Sequence, residues 1–195
     1  MKIEISNISQ QQSEEFFQYK WIGGRPDAIF DINFPDVMDI ATISLWMEKI
    51  DAFPIYLCLQ ISDINTRDFE LLCNKNHLTF HYIGEFDGSK VAILYILNRA
   101  SFSAIIPLID LISSMEDFVL WSFKKNVFSV DPQIRQRGLF DVIPLNICFN
   151  AETIVFSLSQ SGLMLQIYSN HSSLRSYNHI INSLPDFLVP IRVGE

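Results

Sequence analysis

Residues 2–6 alternate between polar and apolar, Lys2-Ile3-Glu4-Ile5-Ser6, the period of two that buries one face of a β-strand. Residues 7–15 are polar and predict a loop or the start of a short helix. Apolar runs at 16–22 and 28–34 predict two strands, and Gly23-Gly24-Arg25-Pro26 between them supplies the residues a hairpin turn needs. Pro35-Asp36 ends the second strand and offers an aspartate cap to a helix. In that helix Ile40, Ile43, Met47 and Ile50, with Trp46, fall on one stripe.

The pattern is most regular over residues 53–123. An apolar strand at 53–62 precedes a helix at 65–76, with Phe69, Leu72 and Cys73 on one face. Strands follow at 77–86 and 90–98, joined by Asp87-Gly88, a strong short-range hairpin signal. Ser103 is placed to cap the next helix, whose stripe is Ile105, Leu108, Ile109, Ile112 and Met115. Pro107 then falls near its first turn, where proline costs least. Leu108, Leu111 and Ile112 make this helix apolar nearly all round, which predicts deep burial. A strand at 118–123 completes the order β-α-β-β-α-β, that of a split βαβ unit.

Residues 124–138 are basic and aperiodic, broken by Asp131-Pro132 and Gly138, and predict a long loop or linker. Strands recur at about 140–149, 153–159 and 163–169, with Ser161-Gly162 turning the last pair. A final helix at about 173–184 carries Leu174, Tyr177, Ile181 and Leu184 on one face, and Pro185 and Pro190 punctuate the tail. A strand pair followed by a helix occurs three times, near 16–50, 77–115 and 153–184, at unequal spacing and without matching residues. The expected fold is α+β, a mixed, mostly antiparallel sheet with helices packed on one face. The length of 195 residues suits one domain spanning 1–195, with a sub-boundary, if any, near 124–138.

Composition adds exclusions. Hydrophobic residues make up 49% of the chain and charged ones 18%, too apolar for disorder. The 16 phenylalanines predict an aromatic core, or else an aromatic face for a partner. A net charge of −8 argues against nucleic acid and anionic membrane surfaces. Nearly all of it resides in residues 1–98, so a basic partner is expected to dock on the N-terminal half. Cys58, Cys73 and Cys148 are scattered in apolar surroundings, reading as free thiols of a reducing compartment. With no signal-peptide pattern at 1–4 and no apolar run long enough to span a bilayer, a soluble cytoplasmic protein is expected.

Motifs for chemistry are missing. Neither a P-loop, a dinucleotide fingerprint nor a nucleophile elbow is present, and the chain has only 7 glycines. His77 and His81 share a face of their expected strand, but two histidines are half a metal site. No catalytic residue, metal ligand or cofactor is therefore expected. Lys124, Lys125, Arg135 and Arg137 lack the interleaved aromatics of an RNA platform and read as a solvated loop. The one dense cluster is Asp27, Asp31, Asp36 and Asp39, inside a stretch without lysine or arginine that lacks the calcium-loop pattern. Asp36 or Asp39 suits a helix cap, with Asp27 and Asp31 facing water. Alternatively the four form an acidic docking face, extended by Glu85 and Asp87 at the other hairpin tip.

In size and charge, though in no motif, the chain resembles the small acidic α+β proteins found beside secreted bacterial toxins. That resemblance implies an immunity-type inhibitor that blocks a basic protein partner. The alternatives are an enzyme whose site is assembled from scattered residues and a structural subunit that forms a homo-oligomer.

Overall fold

The computed structural model describes residues 1–8, 19–35, 40–86, 88–114, 117–131, 145–150, 152–159 and 164–193. Their elements, in chain order, are β1 (Lys2–Asn7), β2 (Lys20–Ile22), β3 (Ala28–Asn33), α1 (Ile40–Lys49), β4 (Ile55–Ser62) and α2 (Asp63–Lys75). Then come β5 (Thr79–Phe86), β6 (Ser89–Ile96), α3 (Arg99–Ser114), β7 (Val119–Ser122), β8 (Phe128–Val130) and β9 (Leu145–Cys148). The chain closes with β10 (Ile154–Ser159), β11 (Met164–Ser169), α4 (Tyr177–Ser183) and β12 (Val189–Arg192). The protein is α+β, as its periodicities predict.

One sheet has nine strands in the order β12-β1-β3-β11-β10-β7-β4-β6-β5. Among the described residues, its neighbours are antiparallel except for β1 and β12. The β4-α2-β5-β6-α3-β7 segment contributes the order β7-β4-β6-β5, the split βαβ arrangement expected for 53–123. Strands from both sides of 124–138 meet in this sheet, where β7 pairs with β10. A second sheet of three strands, β2-β9-β8, covers part of the opposite face.

Strand alternation builds two cores. On β4, Ile55, Leu57, Leu59 and Ile61 join Trp46, Phe69, Phe102 and Trp121 in the core beneath the helices. Cys58 faces the other way and packs with Phe128, Ile147, Phe149 and Tyr168 between the two sheets. Aromatic residues fill both. Trp121 stacks on Phe156 at 5.2 Å between centroids, and Trp21 meets Phe149 edge-on at 5.2 Å. Such pairs add roughly 1 kcal/mol each beyond their buried area. Phe187 is the one strongly exposed phenylalanine among the described side chains.

Several local expectations change. Strands β2 and β3 do not form a hairpin. Gly23 turns the chain at a φ of 80°, but β2 pairs with β9 and β3 with β1 and β11. The indole of Trp21 packs against Phe149, just after β9, and against Tyr168 of β11, tying β2 to its own sheet and to the large one. Helix α3 starts before Ser103. Asn98 caps it by accepting from the Ser101 N–H at 2.9 Å, so Pro107 lies in the helix interior, on its exposed side. The same helix buries Ile105 and Ile112 but leaves Leu111 exposed, because α3 is a layer surface and not a central helix. The helix expected at 173–184 is divided into a 3₁₀ turn and α4, and Ser176 accepts from His179 N–H at the new start. His77 is not in a strand. It occupies the left-handed position closing α2, with Leu78 N–H bonded to Cys73 C=O. Residues 9–18, Asp36, Asp39, Asp87, Met115, Arg135, Arg137 and the Ser161-Gly162 turn lie outside the described residues.

Candidate functional site

Among the described residues, the predicted acidic face is not gathered in one place. Asp27 is exposed in the β2–β3 connection, where Asn170 Oδ1 accepts from its N–H and Arg175 lies 3.4 Å from its carboxylate. Glu85 is exposed on β5, opposite Lys90 of β6. Strands β3 and β5 are six positions apart in the sheet, roughly 29 Å at the usual strand spacing. Asp36, Asp39 and Asp87 are not among the described residues.

Asp31 departs most from expectation. It is half-buried on the inter-sheet side of β3, not facing water. Its cross-strand neighbour Gln166 donates to its carboxylate at 3.0 Å, and Tyr168 O–H donates to Gln166 Oε1 at 2.7 Å. Burial raises the Asp31 carboxyl above its ordinary value, against the lowering effect of Gln166. The Tyr168 hydroxyl is pushed well above the ordinary tyrosine value by burial, with Tyr19 and Asp31 adding to it. This row is a satisfied polar seam of the second core.

Side chains do converge at one end of the sheet, where β7 and β11 finish and β10 begins. A cleft of about 520 Å³ lies there, lined by Ile50, Asp51, Phe123, Lys124, Glu152, Ile154, His171, Ser173, Leu174 and Ser183. Buried Ile154 and Leu174, with half-buried Ile50 and Phe123, give it an apolar floor. Its corner is braced by Ser122, whose hydroxyl donates to Ile154 C=O at 2.6 Å and accepts from Lys124 N–H at 3.3 Å. On the far wall Ser173 N–H donates to His171 Nδ1 at 3.1 Å, so a neutral His171 ring carries its proton on Nε2.

Two carboxylates on this cleft stand on unfavourable backbone. Asp51 has a φ of 53° and Glu152 a φ of 61°, the left-handed region where glycine is preferred. Local hydrogen bonds impose both conformations. Asp51 N–H bonds to Glu48 C=O and Ala52 N–H to Met47 C=O, the paired bonds that close a helix through a left-handed residue. Glu152 sits in a turn closed by Thr153 N–H to Asn150 C=O and by Thr153 Oγ1 to Asn150 Oδ1 at 2.9 Å. Asp51 also sets a negative charge at the C-terminus of α1, where the helix dipole disfavours it. Neither carboxylate is in an ion pair among the described residues. Both are exposed.

Sequence reasoning did not single out Asp51, Glu152 or Ser173. The only signal was negative, an acid where a helix ends and glycine is usual. Cys58 and Cys73 are buried, and burial pushes both thiols up, Cys58 well above the ordinary value. Cys148 is less enclosed than expected. Among the described residues no group of three metal-ligating side chains is assembled. None of their helices is long and apolar enough to cross a membrane.

Fold and cleft thus define an α+β protein with an open, mixed-charge cleft at one sheet end. No protein-family model, curated protein or solved structure matches the chain.

Proposed function

We propose that the chain is a protein-binding protein whose cleft receives a basic side chain of its partner, as an inhibitor of immunity type would. The observation that carries this reading is the placement of Asp51 and Glu152. Folding alone would favour glycine at both positions, and strained residues of this kind gather at working sites. The apolar floor suits the methylenes of a lysine or arginine, and the two carboxylates suit its charged head. Lys124 shares the cleft and leaves one net negative charge when His171 is neutral. A net charge of −8 adds long-range attraction for a basic partner and speeds its encounter. The acidic segment at Asp27 and Asp31 contributes to that field without forming the contact.

Native mass spectrometry of the chain isolated from its own host tests the reading. A stoichiometric basic protein is expected with the unaltered chain. Its retention is expected to fall roughly tenfold or more when Asp51→Asn and Glu152→Gln are combined. A partner held equally by that variant would remove the cleft from the interface. A bare chain from a host that makes the partner would count against the function itself.

A further inference from the structure

Helix α2 carries a line of side chains that complements itself. Ile64 and Leu71 are 85% and 57% exposed, two turns apart on the outward side of the helix. Arg67 and Asp68 stand between them on the same stripe, both exposed. Neither is in an ion pair among the described residues. The four positions are symmetric about the 67–68 peptide. A second α2 laid antiparallel, with a two-fold axis through that peptide, sets Ile64 against the second copy's Leu71. It also sets Arg67 against the second copy's Asp68, and the symmetry makes every contact twice.

The surroundings agree. Helix α2 is the outermost helix over the β6–β5 side of the sheet, flanked by α3, whose Pro107 and Leu111 are also exposed. We propose that this outer face of α2 is a homodimer interface whose occupant is a second copy of this chain. Opposite charges in register, between two apolar contacts, favour a copy of this helix over an unrelated acidic or basic surface. Helix α2 is about 20 Å long at the usual rise per residue and about 10 Å wide. The face therefore offers a footprint of roughly 200 Å² per protomer, about a quarter of a standard interface. The dimer is accordingly weak and forms with rising concentration, at micromolar affinity or weaker. None of its residues lines the cleft, so dimerisation leaves the cleft open and the inference stands apart from the proposed function.

Sedimentation velocity of the full chain, from low-micromolar to near-millimolar concentration, tests it. The average mass of the unaltered chain is expected to rise towards that of a dimer. Arg67→Asp opposes like charges twice and is expected to weaken association about tenfold or more. The exchange Arg67→Asp with Asp68→Arg restores both pairs and is expected to return association to near its original strength, which also controls for folding. A chain monomeric throughout, association indifferent to Arg67→Asp, or an exchange that fails to restore it would each overturn the proposal. So would a different protein found seated on α2.

Discussion

Gly84 of β5 faces Val130 of β8 so closely that a Cβ at position 84 would stand 2.8 Å from the valine Cβ. Atoms do not approach that far. The valine is β-branched and stiff, so it has little freedom to turn aside. The contact lets the small sheet close against the edge strand of the large one, next to a register shift between Tyr82 and Gly84. Gly84→Ala is therefore expected to lower stability by about 1–3 kcal/mol. Adding Val130→Ala removes the two γ-methyls but leaves the Cβ contact, so it should recover only part of that loss. Urea denaturation of both variants measures it, and an undiminished midpoint for Gly84→Ala would show that the strands part freely.

The second prediction concerns pH. Burial raises the Asp31 carboxyl above its unfolded value, so the folded chain holds this proton more tightly than the unfolded one. The site consequently favours folding at acid pH and loses that contribution as pH rises through the raised value. Asp31→Asn keeps an acceptor for Gln166 and removes the buried charge. It is expected to raise stability at neutral pH, with the gain shrinking as pH falls below the carboxyl range. Thermal melts of both proteins from acid to neutral pH test this. A variant less stable than the parent at neutral pH would mean that the charge itself is needed in the seam.

A third prediction separates stability from binding. Glycine at position 152 or 51 relieves a left-handed conformation, at some cost from the greater freedom of the unfolded chain. Glu152→Gly and Asp51→Gly are each expected to stabilise by roughly 0.5–1 kcal/mol. Both are expected to reduce capture of the basic partner. Urea midpoints and co-isolation from the host, read side by side, give the answer. Variants that gain stability and keep the partner would show that the two acids are turn residues only.

The split βαβ segment was legible because each of its signals is local. Asp87-Gly88 announced the β5–β6 hairpin, and Gly88 does take a φ of 69°. Phe69 and Cys73 announced the buried side of α2. Gly23-Gly24-Arg25-Pro26 also supplied the residues of a hairpin turn, and the hairpin did not form. A turn residue specifies that the chain bends, not which strand lies beside it afterwards. The cleft was illegible for a related reason. Its residues come from positions 50–51, 123–124, 152–154, 171–174 and 183, and no window of sequence holds more than a fragment of them.

What the sequence determined by itself is the α+β class, the order of the longer strands and helices, the inward sides of most elements and the excess of negative charge. These follow from periodicity, turn residues and composition, which act over a few residues at a time. It missed β8, inside the stretch expected to be a loop, and β12, in the tail. Tertiary structure alone decided that β2 leaves β3 for β9, that Asp31 is enclosed beside Gln166, and that Asp51 and Glu152 share a cleft. Each depends on packing between residues far apart in the chain. There the burial of Trp21 against Phe149 and Tyr168 outweighs the local preference for a hairpin.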